Sequence, residues 1–142
     1  FLSNVKQVIS ENNMSQEQDF IFDENEVLTY DWPVKILKPG QDKAQTVWAT
    51  FESTPSDELK LLEEQSSDEE EANAIVKRIT VDWGRGGKRG FRTPKTEANP
   101  NGARMECNDE NKDKIFNQMY ISRAFLKAFI DSQGGKKAAR KN

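Results

Sequence analysis

Two runs rich in β-branched and aromatic residues, VLTYDWPVKIL from Val27 and TVWATFEST from Thr46, flank the connection KPGQDKAQ. Nothing else in the chain restricts its fold as strongly, because paired β-prone runs around a Pro-Gly step predict an antiparallel hairpin. In the second run Val47, Ala49 and Phe51 alternate with Trp48, Thr50 and Glu52. That period of two predicts a strand with one buried face. Pro33 removes a ladder donor from the first run and places it at a sheet edge.

Helical signals follow. In TPSDELKLLEEQ, Thr54 stands as a candidate N-cap, Pro55 as first helical residue and acids fill the first turn, where the helix dipole favours them. Leu59, Leu61 and Leu62 supply its apolar face. Ser67 and Glu70 have capping-box spacing ahead of ANAIVKRITVDWG. Ala72, Ile75, Val76, Ile79 and Trp83 then recur at helical intervals, predicting a helix of about four turns. Ile79, Val81 and Trp83 also alternate as in a strand, so both periods fit this segment.

Residues 84–107 hold five of the eight glycines, two prolines and no clear period. They predict a long loop, of the length that tends to be functional or disordered. Asn108, Asp109 and Glu110 begin another helix, with Ile115, Phe116, Met119 and Tyr120 on its apolar face. A continuing or reoriented helix carries Ile121, Phe125, Ala128 and Phe129 on one stripe, with Leu126 and Ile130 beside it, and Gly134 and Gly135 stop it. The expected fold is a single α+β domain over residues 27–135, an N-terminal antiparallel β-hairpin or small sheet packed against three to four helices, with a long basic loop and flexible termini. Residues 1–26 form an acidic N-terminal segment, irregular or with a brief edge strand at DFIF, and residues 136–142 a basic tail. The chain begins on Phe1, and Met14 is a candidate natural start that would leave residues 1–13 as an appendage.

Apolar residues make up 35% of the chain and charged residues 32%, a balance that allows one modest core. No apolar run approaches the roughly 20 residues that span a bilayer, so the expectation is a protein without a membrane role. The net charge of −3 hides a division: residues 1–75 carry 17 acids and 5 bases, and residues 76–142 carry 7 acids and 16 bases. Such halves attract, either as head-to-tail contact between copies or through a nucleic-acid-binding half.

The residue inventory restricts catalysis. With no histidine and one cysteine, no internal disulfide and no zinc site of the usual Cys/His kind can form. Nucleophilic chemistry would rest on Cys107, whose neighbours Glu106 and Asn108 do nothing to activate it. The run Asp68–Glu71 lacks the spacing of a calcium loop, and GRGGKRG lacks the order of a Walker phosphate loop. Neither a cofactor nor a metal is expected, and the protein reads as a non-enzyme. The strongest chemical signal is ITVDWGRGGKRGFR, residues 79–92. Arg85, Lys88, Arg89 and Arg92 could meet phosphates while Phe91 stacks on a base, as in small nucleic-acid-binding accessory proteins. One short box without a recognisable binding fold fits a charged loop better.

The order of elements carries a resemblance. Trp32, Pro33 and Val34 in the first run, Val81, Trp83 and Gly84 before the basic loop, then Tyr120, Ala124, Ala128 and Phe129 in the last helix, with terminal Lys141 and Asn142, resemble the pattern of small tail assembly chaperones of long-tailed bacteriophages. The resemblance covers about residues 27–142, and departs from the family in the length and positive charge of the loop after Trp83 and in NDENKDKIF ahead of the last helix. It implies a non-enzymatic role in the cytoplasm of a bacterial host: binding the tape-measure protein and helping to recruit the major tail tube protein, without a place in the mature virion; the division of charge between the halves of the sequence would supply self-association beside it. Phe116, Tyr120, Phe125 and Phe129 form the candidate partner-binding face. The same stripe also fits core packed on the hairpin, the ordinary arrangement for an amphipathic helix of a small domain.

Overall fold

The computed structural model describes residues 18–58, 60, 68–86 and 88–134. Strands β1 (Thr29–Ile36) and β2 (Gln45–Glu52) form the expected hairpin, helix α1 (Asp68–Ile79) runs directly into β3 (Thr80–Trp83), and helices α2 (Asp109–Phe116) and α3 (Met119–Gln133) complete the order. The three strands make one antiparallel sheet in the order β1-β2-β3, so the molecule is α+β as expected. Pro33 lies on an edge strand opposite Trp48, where its missing N–H disrupts no second ladder. DFIF is no strand: residues 19–23 are irregular and exposed.

The β2 alternation decides which face is covered. Val47, Ala49 and Phe51 are buried, and across the ladder Trp32 faces Ala49 while Val34 faces Val47. Ala49 also pairs with Trp83 on the other side. A small residue between two tryptophans lets both indoles share that face. Helix α3 lies against β1 and α1, and α2 joins them. The core of Phe51, Ile75, Val76, Ile79, Trp83, Phe116, Phe125 and Phe129 fills the space between sheet and helices. Its rings meet edge to face, with centroids 5.0 Å apart for Phe116 and Phe125 and 5.5 Å for Phe51 and Phe129, separations at which aromatic quadrupoles attract.

The segment after Glu70 satisfies both of its periods in succession. The helix ends at Ile79 and the strand takes over at Thr80, so Trp83 belongs to the sheet and not to a fourth helical turn. A register shift between Thr50 and Phe51 sets the β2–β3 pairing to Phe51↔Thr80 and Thr50↔Asp82. Val81 is the extra residue of this bulge and turns outward, 39% exposed. Lys112 donates from Nζ to the Lys77 carbonyl at 3.2 Å and Lys77 pairs with Asp113 at 2.6 Å, tying the end of α1 to α2.

Local signals elsewhere hold with small shifts. Asn108 caps α2, its Oδ1 accepting from Asn111 N–H at 2.9 Å. Asn117 and Gln118 break the chain between α2 and α3, reorienting the helix. At the other end Gly134 closes α3 with a negative φ of −86°, not in the left-handed form. Residues 56–58 are helical, but Thr54 does not cap them: its hydroxyl donates back to the Glu52 carbonyl at 3.4 Å. The leucines 59, 61 and 62, Ser67 of the capping box, Gly135, the basic tail and residues 1–13 lie outside the described residues.

Candidate functional site

The basic segment after Trp83 is built into the fold. Gly84, at a φ of +88° that favours glycine, turns the chain so that its N–H donates to the Trp48 carbonyl at 2.6 Å. Arg85 and Lys88 then exchange backbone hydrogen bonds, and the Trp48 N–H donates to the Arg89 carbonyl at 2.9 Å. Beyond it the Thr93 N–H bonds the Ala103 carbonyl at 2.8 Å and the Met105 N–H bonds the Phe91 carbonyl at 2.8 Å, folding residues 91–105 into a return loop. Gly102 is required there, since a Cβ at its φ of +70° would run into the Thr93 carbonyl. The indole N–H of Trp83 donates to the Met105 carbonyl at 2.8 Å, and Arg104 donates to the Trp83 carbonyl at 3.1 Å. The expected loop exists, but long-range backbone bonds fix it.

These contacts redistribute the residues singled out by sequence. Phe116, Phe125 and Phe129 are 0%, 0% and 1% exposed, so they are core and present no face to a partner; the sheet's apolar side needs all three. Phe91 is half-buried, 4.9 Å from Trp83 and stacked at 6.1 Å on Phe125. Its ring is therefore engaged and not free to stack on a base. Arg85 stands 4.1 Å above the Trp48 ring and 4.0 Å from the Asp31 carboxylate, on the face of the sheet away from the helices. Arg92 donates to the carbonyls of Asn101 at 3.2 Å and Gly102 at 3.4 Å, while the side chains of Lys88 and Arg89 are exposed.

What the fold does bring together is a groove of about 740 Å³ at the turn end of the β1–β2 hairpin. Ile36, Val47, Phe91, Tyr120 and Ile121 line it with apolar surface, and Lys38, Arg89 and Arg92 line it with cations. The apolar residues are buried or half-buried and the cations exposed, so the groove has an apolar floor and a positive rim. Among the described residues none of these three cations is in an ion pair. A smaller recess of about 230 Å³ adjoins it, shared by Arg89 and Arg92 with Lys88 and Arg104. Tyr120, Arg89, Phe91 and Arg92 thus meet at one place, whereas sequence reasoning missed Ile36, Lys38, Val47 and Ile121. The hairpin pattern marked Ile36 and Val47 as strand residues, but no periodicity signals a groove assembled from three distant segments.

No group of three or more acidic or cysteine side chains is placed to hold a metal among the described residues. Burial pushes the Cys107 thiol up from 9.0 to about 11, Lys112 and Arg104 opposing the shift and Asp82 and Asp109 adding to it. The thiol stays protonated at neutral pH, and burial outweighs the acidic neighbours as the cause. No helix among the described residues is long and apolar enough to cross a membrane. Comparison with family models, curated proteins and solved structures gives no match for this chain.

Proposed function

We propose that the protein is a non-enzymatic tail assembly chaperone, which binds the tape-measure protein and helps recruit the major tail tube protein during phage tail morphogenesis in the host cytoplasm. The observation that carries this reading is spatial. The residues behind the family resemblance lie far apart in sequence, yet Val34, Trp83, Ala128 and Phe129 belong to one core, and Trp32, Tyr120 and Ala124 pack against it. That these scattered hydrophobic positions converge on one core supports the reading. The binding surface moves from the aromatic stripe to the groove. An apolar floor with a cationic rim suits an amphipathic partner helix that carries acidic residues beside its apolar face.

The reading requires a long tape-measure gene downstream of this one, and co-expression with its product tests the reading directly. The soluble fraction of the tape-measure protein should rise several-fold with the wild-type chain, and much less with Lys38→Glu/Arg89→Glu, which reverses the rim without touching the core. No rise with the wild type rejects the assignment.

A further inference from the structure

Three consecutive bulky apolar side chains, Phe20, Ile21 and Phe22, stand in solvent at 90%, 82% and 79% exposure. Around them QDFIFDENE carries four carboxylates, Asp19, Asp23, Glu24 and Glu26, and no base. A Leu or Phe exposed singly is ordinary, but a run of three this exposed, with none of the described residues packed on it, resembles an interface element lacking its counterpart. The groove at the turn end of the hairpin has the complementary character, with an apolar floor and a cationic rim on which Lys38 and Arg89 are in no ion pair among the described residues. Its volume of about 740 Å³ falls within the range of about 300–1,000 Å³ that accepts a compact ligand.

We propose that the Phe20–Phe22 segment of one copy docks in the basic groove of a second copy, joining chains head to tail. The aromatic side chains enter the floor between Phe91, Tyr120 and Ile121. The flanking carboxylates meet Lys38 and Arg89, and the adjoining recess beside Lys88 takes a further carboxylate.

Geometry favours a second copy over the chain's own segment. The groove lies where Ile36 pairs with Gln45, but the segment leaves the sheet at the other end, where Thr29 pairs with Glu52. An eight-residue strand is roughly 26 Å long. Phe22 is seven residues from Thr29, and the turn in which the Glu26 N–H bonds the Asp23 carbonyl shortens even that reach. The two halves of the contact therefore lie at opposite ends of one molecule, an arrangement that propagates as a chain of copies. This inference goes beyond the chaperone reading and stands without any tape-measure protein.

Sedimentation velocity of the full chain alone, over a range of concentrations at low and high salt, tests it. The average mass should climb with concentration at low salt and fall back toward the monomer at high salt, because charge pairs at an exposed rim are screened. Phe20→Ser/Phe22→Ser and Lys38→Glu/Arg89→Glu should each remain monomeric, with melting temperatures near wild type since all four side chains are exposed. Mixing the two variants should restore a single one-to-one complex, the groove of the first receiving the segment of the second. A wild type that is monomeric at every concentration, or self-association that both variants retain, overturns the proposal. So does tight binding of a single-stranded DNA oligonucleotide that Lys38→Glu/Arg89→Glu abolishes while the protein alone stays monomeric, since the groove would then belong to a nucleic acid.

Discussion

Cys107 shows how one side chain can be chemically quiet because of where it lies. Its burial costs the thiolate more than the thiol, so the folded protein holds the proton up to about pH 11 while the unfolded chain releases it near 9.0. Between those values the unfolded state binds fewer protons than the native one, and stability falls as pH rises through the window. The wild type should therefore lose more stability than Cys107→Ser between pH 9 and pH 11 in urea titrations, and the two should run parallel below that range. At neutral pH the native thiol should react with a disulfide reagent many times more slowly than the unfolded chain does, because the thiolate is the nucleophile. Rapid native labelling would contradict the burial that the structure assigns to it.

Among the elements, the tie between β1 and α3 is the most specific. Tyr30 accepts from Gln133 Nε2 at 2.6 Å and bonds Ser132 Oγ at 2.7 Å, and Ser132 donates onward to the Phe129 carbonyl. With the serine proton committed to that carbonyl, the tyrosine donates to the serine, and a short relay clamps the last turn of α3 to the first half of β1. Tyr30→Phe keeps the edge-to-face contact with Phe51 and deletes the relay. It should cost about 1 kcal/mol, seen as a lower urea midpoint with an unchanged slope. Such long-range bonds also explain how far the sequence can be read. The alternation of Val47, Ala49 and Phe51 identified β2 and its buried face, and Asn108 identified the start of α2, because both signals are local. The passage from α1 to β3 was ambiguous because Ile79 and Trp83 satisfy a period of 3.6 and a period of 2 at once. The loop after Trp83 offered no period at all, since its order comes from the Trp83 indole on Met105 and from backbone pairs between Phe91 and Met105. The groove inherits that obscurity, needing the hairpin turn, that loop and the start of α3 together.

For the molecule as a whole, the number of free cations decides what the basic groove and the loop beside it can bind. The four basic residues of the glycine-rich box are not equivalent. Arg85 is held over Trp48 beside Asp31, and Arg92 is engaged with backbone carbonyls. Four free phosphate contacts would make the logarithm of affinity for single-stranded DNA fall with that of salt at a slope of about −3. With Phe91 turned inward against Trp83, no base-stacking platform adds to them. Binding to single-stranded DNA at about 0.15 M salt should therefore be weak, and nearly unchanged when Arg85, Lys88, Arg89 and Arg92 all become Ala. The same variant should lose stability, about 0.5–1 kcal/mol of it through the broken Arg85–Trp48 stack, and restoring Arg85 alone should recover that part, the remainder belonging to the Arg92 hydrogen bonds. A fluorescence titration with labelled oligonucleotide beside a urea melt reads both quantities on one protein. Tight, steeply salt-dependent binding that the variant lacks would assign the basic loop to nucleic acid, whereas a stability loss without a binding loss assigns Arg85 to the fold.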